Sequence, residues 1–413
     1  MDSARADMLA AKNQLQSQGW IARRSEAFHH LPPPALAQWL ESEHAGACDA
    51  PLLAGAGWTL QPLGQTPASG VDARWLDALE PAQRAELFAG LPAPEGEAAP
   101  FAWAHRALCR QGLRLRIAAT PGKAASEHAP VWLHLAHQPR AQAEAPLLVL
   151  DVEAGMRCVL LETHERDADA CAQGVAQNLH AHIRLAAGAQ LQHLRVVAPQ
   201  AKDRTAHHLH ATLAKDAHYA QALVALGSGY HLQRTRLDLQ GAGARARSAG
   251  LLLTGEQTLD QQVYTYHNAP RTSSRVEALA LASGSARTVG NSFTRIAPGA
   301  SDASVFQRLS GVALDGQPRM VLRPHLEILH DQVQALHGAT WGRLPEDALF
   351  YARQRGLDEA SARALIIEGM AHALLARGFD DADAAEDSPL LAQWLEQGWL
   401  TRAIARLLEP RHG

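Results

Sequence analysis

Five short phrases between Leu150 and Ile296 constrain the fold of this chain more than any other feature. Each joins an aliphatic residue, a few turn-forming residues, a small residue and a new strand-like run. They read LDVEAGMRCVLL from Leu150, LAAGAQLQHLRVV from Leu185, LAKDAHYAQALVAL from Leu213, LQGAGARARSAGLLL from Leu239 and LASGSARTVGNSFTRI from Leu281. A strand buries one row of alternating side chains but leaves its backbone edges open. Stacking another coil on each edge satisfies that backbone, and a small residue lets the corner turn tightly. The phrases start 35, 28, 26 and 42 residues apart, a spread that stacked coils tolerate through loop insertions. No helix-length apolar pattern interrupts them, which disfavours a βαβ sheet. The expected class is mainly β with helical ends, built on a right-handed parallel β-helix; a β-sandwich is the rival.

Changes of period divide the chain into three expected domains. Residues 1–110 read as a mixed, mostly helical N-terminal domain, interrupted by Pro- and Gly-rich segments at 62–70 and 91–100. Alternation begins with Leu113, Leu115 and Ile117 and continues with Val131, Leu133 and Leu135, so 111–342 is the β-helix core. Helical period takes over in 343–413. Glu346 and Asp347 suit a first turn, Gly356 a stop and Asp358 the next N-cap. The following apolar face is Ala362, Leu365, Ile366, Gly369, Met370, Ala373 and Leu374. An acidic connection at 380–387 precedes Ser388-Pro389, a cap and first-position pair.

Composition narrows the function classes. Of 413 residues, 47% are hydrophobic and 19% charged, which fits a folded globular chain. A net charge of −4 with only four lysines argues against nucleic acid as partner. No apolar run approaches the roughly 18 residues of a membrane span, and the polar N-terminus predicts no secretory signal. Cysteines at 48, 109, 158 and 171 are widely spaced, without a CxxC pair, so a reducing cytoplasm is the simpler location. Four-thiolate binding of an iron–sulfur cluster by this chain alone is thereby excluded.

Few motifs carry chemistry. Gly241–Ala246 fits a relaxed dinucleotide fingerprint, but strand-like rather than helical sequence follows, so a solenoid corner is the reading. There is no Walker lysine motif, and no Ser/His/Asp set can be assigned. His180 and His182, like His208 and His210, share a strand face; with no third ligand they read as solvent-facing residues rather than a metal site. His337 stands apart, in a His-Gly-Ala-Thr turn between strand-like and helical sequence. A neutral imidazole there suits iron ligation, and hydrogen bonding within the turn is the alternative.

The segment 323–356, with YHNAPRTSSR at 266–275, ARTVGNSFTRIAPGASDA at 286–303, PHLEI at 324–328 and LFYARQRGL at 349–357, resembles the SufB/SufD family. These are scaffolds of SUF iron–sulfur cluster assembly, and cysteine-poor sequence in the second half favours the SufD type. The resemblance implies a parallel β-helix and a non-enzymatic scaffold that pairs with a SufB-like subunit. It implies His337 as the iron or cluster ligand at the shared site, opposite a cysteine supplied by SufB. Ala335 replaces a cysteine that many SufD-type chains carry two residues earlier, leaving any ligand role to His337. The resemblance further implies a SufC-like ATPase docked on Leu344, Leu349, Phe350, Tyr351, Arg355 and Gly356. The Fe–S cluster would be transient and ATP would act only through SufC, with self-pairing in isolation. The competing readings are a carbohydrate-active β-helix lyase or hydrolase and a SufB-like self-paired scaffold.

Overall fold

The computed structural model describes residues 2–22, 24–40, 57–63, 70–119, 122, 128–139, 142–166, 174–379 and 388–409. Cys48, Lys123, Cys171 and the acidic connection at 380–387 lie outside the described residues.

Two sheets, of nine and ten strands, face each other as the walls of a parallel β-helix. Each coil contributes one strand to each wall. In one wall Ala176–Leu185, Arg204–Leu213, Tyr230–Leu239 and Thr258–His267 stack in parallel register, Leu185 against Leu213 against Leu239. In the other, Gln190–Ala198, His218–Leu226, Arg245–Thr254 and Ser273–Ala282 do the same. Every one of the five phrases is a corner. The first four turn from the ten-stranded into the nine-stranded wall, whereas the phrase at Leu281 makes the opposite corner, from Ser273–Ala282 to Arg287–Ile296. Mixing the two kinds of corner produced the 42-residue step. Within one wall, the register advances by 28, 26 and 28 residues from Ala176 to Arg204 to Tyr230 and from Leu232 to Asp260.

The corner at Leu239 shows why a glycine is needed. A Cβ on Gly241 would lie 2.0 Å from the Lys215 backbone nitrogen of the preceding coil, and Gly243 has φ +75°. Backbone cannot yield as a side chain can. Gly241→Ala should therefore lower stability by about 2 kcal/mol or more, read as a lower midpoint in urea with an unchanged denaturant slope.

The N-terminal region holds helices α1 (Ser3–Gln18), α2 (Pro81–Phe88) and α3 (Ala99–Leu108), and also two strands the sequence reading missed. Trp58–Pro62 and Val71–Asp77 pair antiparallel with Val131–His137 and Gln111–Ile117, covering the first coil's edges in both walls. That is a standard remedy for an open sheet edge.

Helices α4 (Glu346–Gln354), α5 (Glu359–Phe379), α6 (Pro389–Glu396) and α7 (Trp399–Leu408) follow the last strand, Val333–Gly342. Asp358 caps α5 by accepting from the Ser361 amide at 2.8 Å. Ser388 precedes α6 as expected, but its hydroxyl donates to Gln192 instead of capping the helix. Ala362 and Leu374 are buried as expected, but the rest of the α5 face is rotated: Ile367, Ala371, Leu375 and Gly378 are buried, while Leu365 is exposed. Close approach decides this. Gly378 sits where a Cβ would meet Ala249 at 2.9 Å, and the buried row packs on Leu194, Val196, Ala222, Leu251 and Leu253 of the nine-stranded wall. No described helix is long and apolar enough to cross a membrane.

Candidate functional site

Among the described residues, the far end of the β-helix has no cap of the kind found at its beginning. Strands Arg319–Ile328 and Val333–Gly342 each pair on one side only, with Arg287–Ile296 and Ala303–Ala313. Their outer edges present unpaired backbone groups. Leu336 is 68% and Trp341 58% exposed, and Ile328 and Leu329 are exposed beside them. By alternation Leu336 lies on the outer face and Trp341 on the inner row, so exposed apolar side chains flank the open edge on both faces, a kind of surface common at interaction sites. The sequence reading passed over these residues because apolar side chains in a strand look like core. The available signal was the absence of a succeeding corner phrase.

His337 lies here, but not in a turn. His337-Gly-Ala-Thr340 is continuous strand, held extended by pairing with Gln307-Arg-Leu-Ser310, and the glycine is simply tolerated by the ladder. By alternation His337 shares a row with Val333, Ala335 and Ala339. Those three pack against interior residues including Val305 and Leu309, placing the row over the mouth of the last coil. The imidazole is exposed, and its register partner Gln307 is buried with an unpartnered Oε1.

The six residues expected on the docking surface divide. Leu344 is buried with Val312 and Leu375, and Leu349 packs on the same cluster. Gly356, at φ +89°, ends α4. Phe350 and Tyr351 are 66% and 58% exposed, and Arg355 stacks on the Tyr351 ring at 3.8 Å. Leu357 and Leu365 are also exposed.

Two groups of histidines stand out elsewhere, and the four expected to face solvent are buried or half-buried. His180 and His208 stack at 4.6 Å beneath α3, against His105 and Phe101, and both are buried. His182 and His210 beside them are half-buried. Inside the β-helix runs a polar chain centred on Glu162. Its carboxylate accepts from His193 Nε2 at 2.7 Å, from His164 Nε2 and from Arg195 at 3.1 Å. Tyr219 hydrogen-bonds to the other nitrogen of His193 at 3.0 Å, and Arg195 reaches Gln233 and His207. Burial alone would raise the Glu162 carboxyl, but the Arg195 charge and the histidine hydrogen bonds hold it well below the usual range. Burial pushes the His164 and His193 imidazoles down.

No group of three His, Cys, Asp or Glu among the described residues is arranged to hold a metal ion. Cys109 and Cys158 are buried, and burial pushes both thiols up to about 12, so neither presents a thiolate.

Comparison with known proteins converges on one family. Residues 134–370 match the family model for the SUF system FeS cluster assembly SufBD core domain. The iron–sulfur cluster assembly protein SufD of Escherichia coli K12 is 27% identical over 190 residues, which cover 46% of this chain and 45% of that protein. A SufBD family protein of Synechocystis is 25% identical over 239 residues, 56% of this chain and 52% of its own length. One from Mycobacterium tuberculosis is 28% identical over 145 residues, covering 35% of this chain and 17% of the relative. The matches thus span about half the length, or less, of these relatives.

Proposed function

The chain belongs to the SufBD family of the SUF iron–sulfur cluster assembly system, and on that premise we propose that it is a SufD-like scaffold subunit rather than an enzyme. Its partner is a SufB-like chain that docks along the open end of the β-helix. The observation that supports this reading is the pair of terminal strands with one edge open, and Ile328, Leu329, Leu336 and Trp341 exposed on or beside them. A second β-helix can extend both walls by backbone pairing while covering these side chains.

His337 is the ligand this chain offers to a nascent cluster at that junction. It projects from the terminal row, within reach of a facing subunit, and a neutral imidazole is a common iron ligand. The cluster is cargo, held jointly with partner cysteines. A SufC-like ATPase docks on the separate patch of Phe350, Tyr351 and Arg355, while Leu344, Leu349 and Gly356 keep that patch in place. Such a subunit works in the cytoplasm.

Three sets of substitutions in the full chain separate these roles. Leu336→Lys with Trp341→Lys should weaken SufB-like pairing by about a hundredfold, since burying unpaired charge at an apolar contact costs several kcal/mol. SufC-like binding should persist. Phe350→Ser with Tyr351→Ser should do the reverse, and His337→Ala should spare both while iron and sulfide in the assembled complex fall sharply. Intact pairing in the lysine variant, measured by sedimentation, would move the partner surface elsewhere. Full cluster content with His337→Ala would return that histidine to an ordinary strand residue.

A further inference from the structure

The two open strands do not offer a neighbour the same backbone. In a parallel ladder the N–H and C=O of one residue turn to the same side, and successive residues turn to opposite sides. The Arg319 amide donates to Ala286 at 2.8 Å, and the Leu329 amide, just past the strand's end, donates to Ile296 at 3.0 Å. Register between these two bonds is unbroken, so the odd-numbered residues face Arg287–Ile296. Met320, Leu322, Pro324, Leu326 and Ile328 therefore face the open side. Pro324 stands at the centre of that row and has no N–H to donate. Proline at such a position keeps an edge strand from pairing along its length.

The last strand of the nine-stranded wall has no such break. Ser304 donates to Thr272 at 2.9 Å, so the even-numbered residues of Ala303–Ala313 face Ser273–Ala282 and the odd-numbered ones face Val333–Gly342. Unbroken register then commits the backbone of Gln334, Leu336, Gly338 and Thr340 to that neighbour. Ala335, His337, Ala339 and Trp341 are left facing the open side, each with both a donor and an acceptor. Seven of the ten residues of this strand are exposed, against three of ten in Arg319–Ile328. Side chains leave room for an approach: a Cβ on Gly338 or Gly342 would meet nothing within 4 Å. Donors and acceptors repeating every second residue, about 7 Å apart, are matched by another extended backbone.

We propose, resting on the partner reading above, that backbone pairing with the SufB-like chain runs unbroken only along Val333–Gly342. An extended partner strand bonds to Ala335, His337, Ala339 and Trp341, whereas Pro324 interrupts the other edge and leaves Arg319–Ile328 to meet the partner mainly through side chains. Pairing of this kind holds His337 by both of its backbone groups. It brings the His337 Cβ to about 5 Å from that of the partner residue opposite.

The test is hydrogen exchange, resolved to single amides, in the full chain alone and in its complex with the SufB-like subunit. Exchange at Ala335, His337, Ala339 and Trp341 should slow by at least about tenfold in the complex. Leu322 and Leu326, which flank Pro324, should keep the rates of the free chain. Ala339→Pro removes one open-side donor while sparing the bonds to Ala303–Ala313, and should weaken pairing about tenfold or more. Pro324→Ala supplies the missing donor to the other edge and should leave affinity unchanged. If Ala339→Pro folds poorly, the wild-type exchange pattern decides. Equal protection of the two strands, undiminished pairing in a folded Ala339→Pro chain, or tighter pairing by Pro324→Ala would overturn the proposal while leaving the partner reading intact. Failure of wild type to form the complex would overturn both. Protection of the same amides in the isolated chain, rising with its concentration, would give the edge to a second copy and overturn the proposal as well.

Discussion

Lowering the pH from 6.5 to 4 is expected to unfold the protein without any denaturant. His105 and His231 are fully buried, and burial pushes each down to about 4. His267 is likewise pushed to about 4 and His182 to about 3. Between 6.5 and those values the unfolded chain binds protons that the folded chain excludes, so stability falls as pH falls. Each such histidine contributes about 3 kcal/mol to the loss. Asp260 acts in the opposite sense: burial raises its carboxyl to about 7, so below that value the folded state gains from its protonation. One carboxyl offsets about one histidine. The net loss is on the order of 10 kcal/mol, comparable with the whole stability of a typical domain. Tryptophan fluorescence and near-ultraviolet circular dichroism should show a cooperative transition between pH 6.5 and 4. Undiminished urea resistance at pH 4 would mean that the imidazoles reach solvent in the folded state.

The second large effect belongs to Glu162. Glu162→Ala leaves Arg195, 1% exposed, without its carboxylate, and removes the acceptor for His193 and His164. Breaking a buried pair by removing one member costs about 3–5 kcal/mol. Glu162→Leu combined with Arg195→Met should recover most of that, because an apolar pair no longer carries a buried charge. Urea unfolding of the three proteins measures the difference. A loss below about 1 kcal/mol in Glu162→Ala would show that water reaches the interior and screens the arginine.

The corners and inward rows were legible because their physics is local. Leu113, Leu115 and Ile117 alternate with arginines in sequence and point inward in the structure, and small residues mark each turn where the coils nearly touch. What covers the outer faces was not local. His180 and His208 read as solvent-facing because nothing in their strands announces α3, which begins far earlier in the chain, at Ala99. Glu162, His193 and Arg195 were invisible for the converse reason: polar side chains at inward positions look like an outward row, and their partners come from different coils. Ala362 and Leu374 of the expected α5 face are buried, whereas Leu365, Gly369 and Ala373 are exposed because small residues, Gly378 above all, set the helix's approach to the wall. The glycine after His337 suggested a turn, yet the pairing with Ala303–Ala313 holds it in a strand. Among the six candidate docking residues, nothing local in the sequence separated the exposed Phe350 and Tyr351 from the buried Leu344.

Purification of the untagged complex from the native cell, with quantification of bound chains, iron and acid-labile sulfide, tests the scaffold role most directly. The chain is predicted to co-elute with a SufB-like and a SufC-like subunit in fixed ratio, and iron and sulfide should travel with that assembly rather than with the isolated chain. Recovery of the chain alone or only self-paired, with SUF partners eluting elsewhere and carrying the cluster, would contradict it.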